Sequence, residues 1–469
     1  MIKKPETLVK GDYAPAVWNK AAYTRMFDKF EYSQPVEIEK MYPDIWDFAC
    51  RLTVHEHSYM QNSIVLPITS TSKNMESTPG YPKMNYYNTE EEYIADKGWQ
   101  AYRDLWNNPE RRRPIWWTFL KSEIIKKKKI EDDDIRMIMC TDPTFTRFGA
   151  AFEQNQNERM KNQTEWKQAQ VGWTPFFGGL HRRISRLEKN RDTHIEMDWT
   201  RYDGTIPREV FLKIKEIRYF FLADKYKTAE NKERYWWYVQ NLMEKVVLLP
   251  TGEITIIGKG NPSGQISTTT DNNMINTFLT AFEICYQYKK QHGCIPTISD
   301  YYDNVDSICY GDDRLLSVNS KWLQYDSTIV PAMYRDIFGM WVKPENIKKQ
   351  GSMEGLSFCG FTLTKVGGVW KGVPNVEKIF TSLSTPNNKL PDLQSLWGKL
   401  VSLRILVQYT DQQTKDYLEE QIERVRVYAT KNDIALPEVP EHFYQRVWSG
   451  GPKNNGGGRS TKTSEKKKE

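Results

Sequence analysis

The sequence predicts an α+β protein in which short antiparallel strands pair beside long helices. Three observations carry this. "THIEMDW" (193–199) alternates apolar and polar residues, the period-two pattern of a half-buried strand. "DSICYGDDRLLSV" (306–318) sets two short apolar runs on either side of Gly311-Asp312-Asp313, a hairpin signal. Between them, "PREVFLKIKEIRYFFLADK" (207–225) and the end of "PSGQISTTTDNNMINTFLTAFEICYQYKK" (262–290) carry apolar residues at helical spacing.

In chain order, residues 1–190 are mixed, rich in aromatics and poor in long periodic helices. Pro207 stands at the first turn of the next helix, where its missing N–H costs nothing. From 262 a loop leads into a long helix. "LSFCGFTLTKVGGVWKG" (356–372) reads as strands turning at Gly367-Gly368. Leu393, Leu396, Trp397, Leu400, Leu403 and Val407 fall at helical spacing and predict a small helical C-terminal subdomain. Residues 451–469 hold no core-forming side chains and are expected to be a disordered basic tail.

A length of 469 residues is long for one core and predicts two to three subdomains. No apolar run approaches the roughly 18–20 residues of a membrane span, and the N-terminus lacks a signal-peptide apolar core. No direct span is expected; membrane contact would come through partners or a surface. Six cysteines with no C-x-x-C pair argue against structural zinc and a disulfide framework. His55 and His57 have no further ligand at metal spacing and read as solvated or structural. Of the net charge of +6, residues 451–469 supply six basic side chains less Glu465 and Glu469, which is +4 and leaves +2 elsewhere. Nucleic-acid binding must therefore rest on local patches, for which "NNPERRRPIWW" (107–117) and "LKSEIIKKKKIEDDDIR" (120–136) are the candidates. Either run alone reads as a solvated face.

Adjacent acids at a hairpin turn repel one another unless a cation neutralises them, and Mg²⁺ or Mn²⁺ does so with hard oxygen ligands. Gly-Asp-Asp alone is ordinary turn chemistry. A second acid set, Asp198 at a strand end and Asp203 five residues on, changes its weight. Laid beside the hairpin, that strand would bring three carboxylates around one or two metals, the arrangement that clamps an in-line phosphoryl displacement.

Asp198-x4-Asp203, then Ser263-Gly264-x3-Thr268-x3-Asn272, then Gly311-Asp312-Asp313, in that order, resembles the RNA-dependent RNA polymerases of positive-strand RNA viruses. "DWTRYDGTIP" with "YGDDRLL" is most similar to the astrovirus polymerases, with similarity also to those of picornaviruses and caliciviruses. The resemblance runs from about 76 to 365. It implies a right-hand fold of fingers, palm and thumb, with an antiparallel palm sheet backed by helices. The implied division is fingers and N-terminal region over 1–190, palm over 191–206, a fingers insertion and palm helix over 207–260, palm over 261–374 and a helical thumb over 375–450.

The resemblance also implies roles. Asp198 and Asp312 would be the principal metal ligands and Asp313 an accessory one, with Mg²⁺ as cofactor and Mn²⁺ able to substitute. Asp203, Ser263, Gly264, Thr268 and Asn272 would read the ribose of the incoming rNTP. Thr268 and Asn272, four apart, share a helix face. Lys121, Lys129 and Arg136 would cover the nucleotide phosphates; a departure is Asp134, where relatives often carry a basic residue. Ser77, Thr78 and Gly80 of "STPGYP" resemble a template-guiding loop. "WVKPENIKKQ" resembles the segment supplying a general acid, with Lys348 the choice, Lys349 the alternative and Lys343 the weaker one. "LSFCGFTL" resembles the hairpin that grips the primer. Implied partners are template and product RNA, rNTPs and other viral replication proteins, with a protein primer and de novo initiation both left open. The implied place is the host-cell cytoplasm, in membrane-associated replication complexes. Reverse transcription is the rival reaction, and an acid at Asp203 favours ribonucleotides over it. An RNA-binding scaffold would explain the basic runs but leave the ordered acids without a purpose.

Overall fold

A computed structural model describes residues 11–17, 19, 21–22, 36–384 and 390–450. The predicted tail, 451–469, lies outside the described residues. The strands, in chain order, are β1 (Tyr13–Pro15), β2 (Ile115–Leu120), β3 (Ile124–Lys126), β4 (Met137–Cys140), β5 (Thr193–Met197), β6 (Lys245–Leu248) and β7 (Ile254–Ile257). They continue with β8 (Val305–Tyr310), β9 (Asp313–Val318), β10 (Ile347–Gln350), β11 (Ser357–Phe358), β12 (Phe361–Val366) and β13 (Val369–Pro374).

Four of these form the sheet that matters most, in the order β10-β5-β9-β8 and antiparallel throughout. Consecutive residues of a strand point to opposite faces. Leu316 accordingly enters the main core with Ile195, Met197 and Val318, while Leu315 enters a second cluster with Ile308, Leu180, Ile184, Phe358 and Trp370. Burial on both faces is why the two arms of the 306–318 hairpin read as apolar runs rather than alternating ones.

The helix Thr268–His292 backs one face. Every residue from Thr270 to Cys285 along it is buried. It packs on the helix Pro43–Glu56, where Trp46 meets Phe278 edge-on at 4.9 Å. A second four-stranded sheet, ordered β4-β2-β6-β7, has one parallel pair, β2 with β6, so the segment after Asp203 returns to pair with the N-terminal third. Strands β11-β12-β13 make a third sheet, turning at Gly367 and Gly368 as expected. The helices Val376–Ser384, Leu393–Leu406 and Gln412–Lys431 close around Phe380, Leu400, Leu418, Ile422 and Val425 as their own core. Asp392 and Asp411 start the latter two, each accepting a backbone N–H from three residues on.

Two expectations need correction, and a third is narrowed. Pro207 precedes its helix rather than occupying the first turn; its ψ of 147° is extended, and the helix runs Arg208–Phe221, ending short of 225. The N-terminal third is not poor in long helices: Pro143–Lys161 is one, and its pattern is broken because Arg147, Glu153 and Gln156 occupy buried positions. His57 is structural, buried with Nδ1 2.8 Å from the Thr53 carbonyl oxygen. Among the described residues no helix is long and apolar enough to cross a membrane.

Candidate active site

Tyr310 and Asp313 pair across the β8-β9 turn, leaving Gly311-Asp312 as a two-residue loop. Gly311 has φ +62°, which a side chain would resist. Asn276, from the buried helix, donates to the Gly311 carbonyl at 2.9 Å and pins the turn. The two acids are therefore unequal. Asp312 stands exposed at the tip, whereas Asp313 opens β9 and accepts the Cys359 N–H at 2.6 Å. Asp198 follows β5, its N–H donating to Asn346. Glu196 pairs with Leu315 at the end of the β5-β9 ladder, and Asp198 lies two residues beyond it, near enough for its charge to act on Asp312 and Asp313.

These acids lie within electrostatic reach of one another. Surrounding protein raises Asp312 to about 6, and the negative charges of Asp203 and Asp198 add to the shift. Asp313 rises to about 7 from burial, only partly offset by the Cys359 N–H, with Asp312 and Glu196 adding repulsion. Asp198 is also raised by its surroundings, against the pull of Lys129. Water still reaches Asp198 and Asp312 from the open side.

Asp203 sits on the short helix Tyr202–Thr205, launched by Arg201 in the left-handed region at φ +54°. Its carboxylate accepts from Asn272 Nδ2 at 2.8 Å. Asn272 Oδ1 in turn accepts from Asn261 Nδ2 at 2.9 Å, and Asn261 Oδ1 from Gln265 at 2.6 Å. Asp203 and Asn272 are thus joined as expected. Thr268 shares their helix, but its hydroxyl donates to the Pro262 carbonyl at 2.8 Å. Ser263 Oγ accepts the Met139 N–H at 3.1 Å, seating the loop on β4. Gly264 has a packing reason to be glycine: a Cβ there would stand 2.0 Å from the Met139 carbonyl oxygen.

Among the basic residues, Arg136 Nε donates to Glu123 at 2.8 Å, with a second bond between the same pair, and its charge is felt by Asp203 and Asp312. Lys121 lies 3.7 Å from Glu123. Lys129, on the short helix Lys127–Glu131, is close enough to Asp198 to oppose its shift. On β10, Lys348 pairs with Glu196, and its Nζ lies 3.5 Å from that carboxylate. Lys349, one residue on, turns the other way and donates to the Tyr325 carbonyl at 2.7 Å. Lys343 is exposed ahead of the turn Pro344–Asn346.

The 77–82 loop is attached at the end of β4 remote from Arg136. Ser77 donates to the Asn74 carbonyl at 2.7 Å, and Thr78 accepts the Gly80 N–H at 3.2 Å. Gly80, at φ +74°, lies 3.0 Å at its would-be Cβ from the Thr141 carbonyl oxygen. These hydroxyls shape the loop itself.

Sequence reasoning missed Asn261 and Glu196. The first carried no signal beyond its place before Pro262. The second did: in an alternating strand Glu196 shares the face of Asp198.

Oxygen ligands gathered at one edge of an antiparallel sheet, flanked by cationic side chains, suit phosphate-bearing substrates. The chain belongs to the viral RNA-dependent RNA polymerase family, whose profile matches residues 9–422. It is similar to the non-structural polyprotein 1AB of Turkey astrovirus 1, 53% identical over 449 residues and 96% of this chain. It is similar also to the polyproteins 1AB of Ovine astrovirus 1, at 44% over 97% of the chain, and Human astrovirus-1, at 42% over 94%. The chain spans only 28%, 34% and 30% of the length of these three relatives.

Proposed function

We propose that this chain is an RNA-directed RNA polymerase that transfers ribonucleotides from rNTPs to an RNA 3′-OH on an RNA template, for viral genome replication and transcription. The observation that carries the reading is the ordered acids on neighbouring strands: Asp198 just beyond the β5-β9 ladder, Asp312 and Asp313 at the β8-β9 turn, and Asp203 held on Asn272. In this reading the β10-β5-β9-β8 sheet and its helices are the palm. The N-terminal region to 190 and the 207–260 insertion are the fingers, and 375–450 is the thumb.

The acids fit a divalent cation. Among the described residues no three His, Cys, Asp or Glu side chains close on one point. Mg²⁺ does not require that, because it keeps waters and takes one or two carboxylates plus substrate phosphates. The donors are all hard oxygens, and burial, with repulsion between the acids added, raises the proton affinity of Asp312 and Asp313, a penalty that a bound cation would relieve. Asp198 and Asp312 would hold Mg²⁺, or Mn²⁺ in its place. Asp313 is accessory because one of its oxygens is committed to the Cys359 N–H. When bound, the cation neutralises the triphosphate and lowers the pKa of the attacking hydroxyl.

The chain's own groups do the rest. Asp203 and Asn272, with Ser263, Gly264 and Thr268 shaping the loop beside them, present hydrogen-bonding groups to the ribose. Arg136, Lys129 and Lys121 offer charge to the phosphates; Arg136 would exchange its Glu123 partner for a phosphate in doing so. Ser77, Thr78 and Gly80 form the loop on which the template strand would lie. Lys348 faces the acid side of the sheet and is placed to protonate departing pyrophosphate. RNA would be held through its backbone without sequence preference. A protein primer, other replication proteins and membrane-associated complexes in the host cytoplasm complete the proposal.

Primer extension on an RNA template, with and without Mg²⁺ or Mn²⁺ and with rNTPs against dNTPs, tests it. Extension should require the metal and prefer ribonucleotides, and Asp312→Asn should abolish it while leaving RNA affinity within about twofold. Preference for dNTPs, or extension by that variant at the normal rate, refutes the reading.

A further inference from the structure

We infer that Glu196 is a positioning residue that couples Lys348 to the β11-β12 hairpin. This deepens the polymerase reading and rests on it. The two oxygens of Glu196 are used differently. Oε1 accepts the Ser357 N–H at 2.6 Å and also the Ser357 hydroxyl. Oε2 lies 3.5 Å from Lys348 Nζ. The Glu196 side chain is 13% exposed and that of Lys348 57%, so a shielded carboxylate neighbours an ammonium group that stands open to solvent.

The hairpin is tied to the same sheet a second time, through the Cys359 N–H to Asp313 at 2.6 Å. Residues 357 and 359 are two apart, so one edge of this segment is held at successive same-side N–H groups by two carboxylates. Cys359 and Gly360 make the tight turn between, both at positive φ, +51° and +79°. A turn with a non-glycine residue in that region persists where its surroundings hold it.

An ordinary cross-strand ion pair on a partly exposed edge strand, of little worth to stability, is the plainer account. It leaves the bonds to Ser357 without a purpose. With Oε1 fixed to backbone, Glu196 cannot swing with the lysine, and the Lys348 amino group is confined to a small arc above β5. A proton donor must lie within hydrogen-bond reach of the leaving oxygen, and holding it there is worth rate. The same carboxylate fixes the hairpin expected to carry the primer terminus. Donor and primer are thereby registered to one strand, the one leading to Asp198.

The test is single-nucleotide incorporation by rapid quench, using the full chain assembled on primed RNA. Glu196→Gln keeps a carbonyl for the Ser357 N–H but loses the charge. It should lower the maximal rate about 10-fold, less than the roughly 100-fold or more of losing a proton-transfer group outright, with the apparent NTP affinity and unfolding temperature unchanged. Glu196→Ala should cost no further rate once Lys348→Ala is present, because one pathway is lost only once. A wild-type rate in Glu196→Gln, or losses that multiply in the double variant, overturns the inference. A wild-type rate in Lys348→Ala removes the general-acid reading and the inference with it, while metal-dependent polymerisation would stand.

Discussion

Asp312 and Asp313 are adjacent in sequence and differ in every physical respect. One is a turn tip open to water, the other a strand residue bonded to a backbone N–H from a neighbouring sheet. Both have folded-state pKa values, about 6 and about 7, above the ~3.9 of an unfolded aspartate. The native state therefore binds more protons than the unfolded chain between about pH 4 and 7. The stability these groups contribute in protonated form is full below about pH 4 and lost as pH rises through 6 to 7. A cation that takes the place of those protons should stabilise most where they are absent. Mg²⁺ is accordingly expected to raise the unfolding temperature more at pH 8 than at pH 5, read by scanning fluorimetry at both. Equal gains would show that these carboxylates do not hold it. Gly264 carries a second residue-scale prediction. Its missing Cβ admits the Met139 carbonyl, so Gly264→Ala must push the loop off β4. A cost of about 1–3 kcal/mol, the range for overpacking, should appear in urea unfolding, together with impaired nucleotide incorporation.

At the scale of elements, three helices are bolted together by charge. Glu153 of Pro143–Lys161, Lys215 and Arg218 of Arg208–Phe221, and Asp271 of Thr268–His292 meet in full burial. Burial pushes Glu153 up, but Lys215 and Arg218 outweigh it and hold its carboxyl at about 2. Glu153→Ala would leave two buried cations with Asp271 alone. A loss of about 3–5 kcal/mol is expected from the urea midpoint, whereas a loss below 1 would mean that the network relaxes around the deletion. The same network explains what the sequence hides. A helix buried on several sides, with charged groups among its inward positions, shows no clean apolar stripe, and Pro143–Lys161 passed unnoticed. Thr268–His292 was legible despite similar burial because its apolar run is long. The 306–318 hairpin was legible because Gly-Asp is turn chemistry between runs of the right length.

At the scale of the molecule, the C-terminal helix Phe443–Ser449 closes a circuit. Trp448 is buried, donates from its indole to the Ile405 carbonyl at 2.7 Å, and meets Phe176, Phe361 and Tyr409 edge-on. The backbone carbonyls of Val447 and Trp448 accept from Phe177 and Gly178, each at 2.7 Å. One side chain thus touches the segment before β5, the β11-β12 hairpin and the C-terminal helices. Trp448→Ala should cost about 3–5 kcal/mol and shorten the products made per binding event, because the C-terminal helices lose their anchor to the sheet. Unchanged product length in a trapped, single-encounter assay would separate that anchor from RNA retention.

The sequence by itself determined the order of the acids, the elements that carry them and the family to which the chain belongs, since strand and helix periods are local and survive without partners. Only the tertiary structure decided which neighbours act together. It laid β5 beside β9 so that Asp198 comes near Asp312 and Asp313, gave Asp313 a backbone partner, turned Lys348 rather than Lys349 toward Glu196, and made Gly264 a packing requirement. Each depends on the register between strands distant in sequence. A slip of one residue in that register exchanges every side chain between the two faces, so the period alone leaves the face open until the strands are paired.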